Sequence, residues 1–132
     1  MKQPCYWNNE EYKENGMQYK FDVLVHESKH GYEYAILDLG THPCAYVSVC
    51  SNINVVKKHI DDFDVHGGIT YCQEGLHDII EEDKYVIGWD YAHIDDYVAP
   101  FESYGKKWTT EEIIEDVNRA MDMLQYLESL ND

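Results

Sequence analysis

The strongest constraint on this chain lies near its C-terminal end. Ile113, Ile114, Val117, Ala120, Met121, Leu124, Leu127 and Leu130 recur at the three- and four-residue spacing of a helical apolar stripe. Thr109 and Glu112 just ahead form the T-x-x-E pattern of a capping box. Glu111 and Glu112 put negative charge where a helix dipole favours it. The spacing predicts a helix of about five to six turns. One apolar stripe cannot bury itself, so the helix must lie on another apolar surface. Met121 and Met123 fit that packing and need no ligand. Trp108, just before the cap, is expected to staple the helix to a sheet.

Upstream, the segments read as strands. "QYKFDVLV" at 18–25 alternates Tyr19, Phe21, Val23 and Val25 on one face, and "GYEYAILDLG" at 31–40 is a second strand. The polar "HESKHG" between them predicts a hairpin. "CAYVSVC" at 44–50, "GGITYC" at 67–72 and "KYVIGWDYAH" at 84–93 supply three more, with Gly88 expected to bend or bulge the last. "NVVKKHIDDF" at 54–63 reads as either a short helix or a loop, and "LHDIIEED" at 76–83 as a connecting helical turn. Regular β–α alternation is missing, which argues against a doubly wound parallel fold. The expected fold is α+β, a single domain over 1–132. It has a mainly antiparallel sheet of about five strands and the C-terminal helix on one face. At 44% hydrophobic the chain can fill such a core.

Charge narrows the function classes. The chain carries 10 basic and 26 acidic residues, a net −16. Residues 1–60 hold 6 basic and 7 acidic groups, whereas residues 61–132 hold 4 and 19. That field repels a phosphate backbone, so direct nucleic-acid binding is not expected. It could instead occupy the basic groove of a nucleic-acid-binding protein. Cys5, Cys44, Cys50 and Cys72 form no C-x-x-C pair, so no zinc knuckle is indicated. The opening "MKQPCYWNNEEYKENG" holds no apolar leader segment, and no apolar run reaches membrane-helix length. Free thiols in a reducing cytoplasm are the resulting expectation. A monomer and a homodimer both stay open.

Two stretches carry the candidate chemistry. In "DVHGGITY" at 64–71, Gly67 and Gly68 permit positive φ and a close approach beside His66. The bland alternative is a glycine bulge beside a satisfied histidine. If 69–72 is a strand, Thr70 and Tyr71 point to opposite faces, so at most one can join His66. In "GWDYAHIDDY" at 88–97, His93 and Asp95 would share one strand face roughly 7 Å apart at Cα. Asp90 would lie on the other face with Ala92, and Asp96 beside Asp95 makes a carboxylate pair. A carboxylate can orient a histidine tautomer or join it as a metal ligand. Taken together, His66, Asp90, His93 and Asp96 form a His₂/Asp₂ set suited to acid–base work, to a divalent metal (His66, His93 and Asp96 as ligands), or to a polar small molecule. Cys72 is a weaker nucleophile candidate, with no base placed beside it.

At these residues the chain resembles a family of short, mostly uncharacterised bacterial and phage proteins. The matching stretches are "THPCAYV" at 41–47, "VHGGITY" at 65–71, "GWDYAHIDD" at 88–96 and "WTTEEIIEDV" at 108–117. Thr41 and Ala45 stand where the family pattern has glycine, Trp89 where it has phenylalanine, and Tyr91 where it has cysteine. The resemblance favours His66, Gly67, Gly68, Asp90, His93 and Asp96 as one site and implies no established activity.

Three functions follow as expectations. The first is a small protein binding a polar, nucleotide-like ligand through His66, Gly67, Gly68, Thr70, Tyr71, Asp90, His93 and Asp96, with counter-defence as a context in a phage. The second is a metal-dependent or acid–base hydrolase. The third is an acidic mimic that inhibits a basic host protein such as a CRISPR effector.

Overall fold

A computed structural model describes residues 22–39, 42–49, 53–76, 79–93, 96 and 105–130. Five strands form one antiparallel sheet, and a long helix near the C-terminus packs against it. The strands are β1 (Asp22–Lys29), β2 (Tyr32–Asp38), β3 (Pro43–Val49), β4 (Tyr71–Leu76) and β5 (Ile80–Asp90), in spatial order β1-β2-β3-β5-β4. A short helix α1 (Ile53–Lys58) and a 3₁₀ turn (Ile60–Asp62) connect β3 to the loop before β4, and α2 spans Thr110–Leu130. The α+β architecture is the expected one.

Alternation along the strands sorts side chains onto two buried faces. Tyr34 and Ile36 of β2, Ala45 and Val47 of β3, and Ile87 and Trp89 of β5 join Tyr91 in the core beneath α2. Ile113, Val117, Ala120, Met121, Leu124 and Leu127 of α2 close that core, while Leu130 is exposed. Ala35, Leu37, Cys44, Tyr46, Tyr71 and Val86 form a second buried cluster on the other face. The helix start follows the capping box: Glu112 Oε1 accepts from the Thr109 N–H, and Thr109 Oγ1 accepts from the Glu112 N–H.

Local turn chemistry moved several boundaries. The first hairpin turns at His30 and Gly31, both at positive φ, as a type I′ turn requires. Strand β1 therefore continues through most of the polar segment expected as the turn. Tyr19 and Phe21 lie outside the described residues. The described residues of the "LHDIIEED" segment are not helical: Ile80 opens β5 opposite Leu76, and Glu81, Glu82, Asp83 and Lys84 extend it as exposed strand. The apolar spacing there imitated a helix because one end of a two-strand ribbon is half solvated. Strand β4 begins at Tyr71, so residues 67–70 are loop.

Gly88 does not bulge. Its register with β3 and β4 is unbroken, and the shift instead falls at Gly75, which takes φ +73°. Gly88 pairs with both Tyr46 and Tyr71, whose rings meet edge to face at 5.2 Å. A Cβ there would lie 2.5 Å from Tyr46 Cδ1 and 2.8 Å from the Ala45 carbonyl. The missing side chain is thus filled by a tyrosine ring from the neighbouring strand. Gly88→Ala is expected to cost about 1–3 kcal/mol by overpacking. Denaturant unfolding measures this, and an unchanged midpoint would contradict it.

Candidate functional site

The loop between the 3₁₀ turn and β4 turns sharply at the first motif. The Gly68 N–H donates to the Val65 carbonyl at 3.0 Å, and Gly67, third in the turn, takes φ +73°. That is the pattern of a type II turn, with His66 at its second position. The Gly68 N–H is spent inside the turn, so it cannot serve an anion. Gly68 has nothing within 4 Å of where a Cβ would stand.

Gly67 is different. A Cβ on it would sit 2.1 Å from His93 Nε2. The clearance that the H-G-G motif provides is filled by the protein's own second histidine. His66 and His93 converge, ring centroids 5.1 Å apart in an edge-on arrangement. Nε2 of His93 is buried without a hydrogen-bond partner, and its nearest carboxylate oxygen, Asp90 Oδ1, is 3.4 Å away.

Asp96 joins the two histidines. It is 3% exposed. Its Oδ2 accepts from the His93 N–H at 2.9 Å and lies 2.6 Å from His66 Nε2, while Oδ1 accepts from Trp108 Nε1 at 2.9 Å. The Asp96 N–H returns a bond to the His93 carbonyl, and Asp96 bridges to Lys106 through the backbone. Burial pushes the Asp96 carboxyl upward, but the donors from His93, Trp108 and His66 outweigh it and hold the group below its ordinary 3.8. An ionised carboxylate only accepts, so His66 Nε2 carries the proton of this contact. A neutral His66 then has its lone pair on Nδ1, and among the described residues Nδ1 makes no hydrogen bond.

Aromatic rings fix the His66 plane. It stacks on Tyr91 at 5.0 Å with 4° between planes and meets Trp108 at 4.6 Å. Below them runs a second buried network. Trp89 Nε1 donates to the Tyr91 hydroxyl, which donates to Asp116 Oδ2 at 2.6 Å. Burial pushes the Tyr91 hydroxyl well up, so it remains a donor. Asp116 also takes the His66 N–H at 3.4 Å and pairs with the Arg119 guanidinium. Glu112, Asp116 and Arg119 recur at four and three residues, so one stripe of α2 faces the motif loop. Between that stripe and the loop lies a cleft of about 290 Å³, bordered by Asp64, His66, Lys106, Trp108, Glu112 and Glu115.

The structure therefore brings His66, Gly67, His93 and Asp96 together and links Asp90 to His93. It separates Tyr71, which lies in the core of the opposite face with its hydroxyl on the Gly75 carbonyl. Thr70 contributes a backbone bond to Gly88 from an exposed position. Asp95 lies outside the described residues. Burial pushes the Cys72 thiol up from its ordinary value, against activation as a nucleophile. Cys44, expected as a free thiol, is disulfide-bonded, and Cys72 is free. Residue spacing shows no such pairing, because a disulfide needs two sulfurs brought close by the fold. Among the described residues only Cys72 is left to support the expectation of free thiols in a reducing compartment.

Sequence reasoning missed Tyr91, Asp116, Arg119 and His42, and gave Trp108 only a packing role. Burial pushes the His42 imidazole down, opposed by Asp90, Asp38 and Asp96. The histidine of "THPCAYV" was the available signal for it. Among the described residues no group of three or more His, Cys, Asp or Glu is arranged to hold a metal ion. No described helix is long and apolar enough to cross a membrane. No protein-family model, curated protein or solved structure matches the chain.

Two outcomes test this geometry. Gly67→Ala is expected to lose about 1–3 kcal/mol through the collision with His93 and its positive φ. Gly68→Ala should lose only the backbone part, about 1 kcal/mol. Adding His93→Ala to Gly67→Ala should recover part of the loss in a double-mutant cycle. Strict additivity would show that the ring contact is unimportant. For Asp96, a depressed carboxyl stabilises the fold above its unfolded pKa and ceases to do so as pH falls through the folded one. Asp96→Asn should thus lower stability at pH 7 by about 1–3 kcal/mol and flatten the acid limb below about pH 4. An acid limb as steep as in the parent would contradict this.

Proposed function

We propose that this protein binds a small polar ligand in the cleft beside His66. The observation that carries the reading is the His66–Asp96 contact. A buried, triply hydrogen-bonded carboxylate holds one imidazole nitrogen, and three aromatic rings hold its plane. The other nitrogen is left without a partner, on a residue that borders an open cleft. Such preorganisation exceeds what a surface histidine needs for packing, and it suits a group that must meet a ligand in one orientation. The resemblance to phage and bacterial proteins through "VHGGITY" and "GWDYAHIDD" supports treating these residues as one unit, and counter-defence is a setting in which a phage protein would use it.

A second reading rests on the same pair. A carboxylate that fixes the tautomer of a histidine is the arrangement of a general base. In an acid–base enzyme, His66 Nδ1 would take a proton from a bound substrate and Asp96 would steady the resulting imidazolium.

A thermal-shift screen of polar metabolites, nucleotides included, tests the first reading. A ligand at a hundred times its Kd should add about 2.7 kcal/mol of stability, and His66→Gln should abolish the gain. Equal stabilisation of both proteins would place the ligand elsewhere. For the second reading, turnover of the ligand found should fall about 100-fold or more in His66→Gln.

A further inference from the structure

We propose that the ligand is a small organic cation, a primary amine or guanidine, and that Lys106 occupies its subsite in the free protein. This rests on the cleft reading above and names the ligand class.

The groups at the cleft are mostly acceptors. Glu112, Glu115, Asp64 and Asp116 border it, against Lys106 and Arg119 as the basic side chains. Arg119 is already committed, with Nε on the Asp64 carbonyl at 3.0 Å and its terminal nitrogen on Asp116. In its neutral form His66 adds one more acceptor. With its Nε2 proton held by Asp96, only a donor can satisfy a neutral Nδ1. An anionic ligand would meet carboxylates, and a nucleotide phosphate is therefore disfavoured.

A cation already shows how this surface is read. The Lys106 ammonium sits 4.0 Å from the centroid of the Trp108 ring and 3.0 Å from Glu112 Oε2. An aromatic face with a carboxylate beside it is how proteins recognise ammonium and guanidinium groups. The Lys106 side chain is 49% exposed, so it can leave without opening the core. The Trp108 ring cannot follow it, because its Nε1 is bound to Asp96. A ligand amine would displace the lysine, lie on Trp108 against Glu112, and direct a second donor toward Glu115 or His66. Lys106 competes for this subsite from within the chain, so removing it raises the fraction of protein ready to bind.

Isothermal titration of the full chain with spermidine, agmatine, a nucleoside monophosphate and a neutral sugar tests this, at constant ionic strength. Spermidine or agmatine should bind at one site and move the His66 ring-nitrogen resonances. Lys106→Met should tighten that binding about threefold or more, and Glu115→Gln should weaken it. Amine binding unaffected by Lys106→Met and abolished by about 0.3 M salt is diffuse attraction to the acidic surface, and it overturns the proposal. Binding of the nucleotide or sugar alone, with His66 shifted, overturns the cation assignment and leaves the cleft reading standing. Silence of the His66 resonances with every compound overturns both. Binding by a lysine-rich peptide but by neither free amine assigns the surface to a basic protein partner and overturns the small-molecule proposal.

Discussion

The site depends on one buried carboxylate. Asp96 collects donors from His66, from the His93 backbone and from the Trp108 indole, which come from the motif loop, the end of β5 and the entrance to α2. A buried charge is stable only when its acceptor positions are filled. Asp96 therefore requires the three segments to meet, and their meeting creates the cleft. Its ionisation also decides which nitrogen of His66 is left over, so the structural role and the chemical role are the same interaction seen from two sides.

Around that charge the packing is largely aromatic. Tyr91 is the base on which His66 lies flat, and its hydroxyl passes the contact on to Asp116. A cysteine at position 91 could offer neither the ring face nor so strong a donor. Asp116 lies nearly two turns into α2, where a carboxylate would ordinarily be solvated. Here Tyr91, the His66 N–H and Arg119 satisfy it. Helix α2 thus supplies the sheet's apolar cover with one stripe and the acidic wall of the cleft with the next.

The glycines divide by what they make room for. Gly88 admits the Tyr46 ring within the sheet, and Gly67 admits the His93 ring beside the turn. Both are internal clearances, whereas Gly68 faces open space and serves the turn through its backbone. An H-G-G motif met in a sequence suggests space for a ligand. In this fold the space goes to a histidine, and the cleft that His66 borders lies between the motif loop and α2.

Sequence by itself determined the class of fold and the pairing of the two motifs. Strand alternation, a capping box and glycine turn chemistry are local, with periods and offsets of a few residues, so they survive in a linear reading. The same locality explains the errors at 67–72 and 76–83, where short segments satisfied two periodicities. Tertiary structure alone decided what each site residue touches. His66 reaches Asp96 across 30 residues, Tyr91 reaches Asp116 across 25, and the His66 backbone reaches Asp116 across 50. No spacing rule spans such distances, because the contacts exist only once the motif loop, the segment after β5 and α2 are packed together.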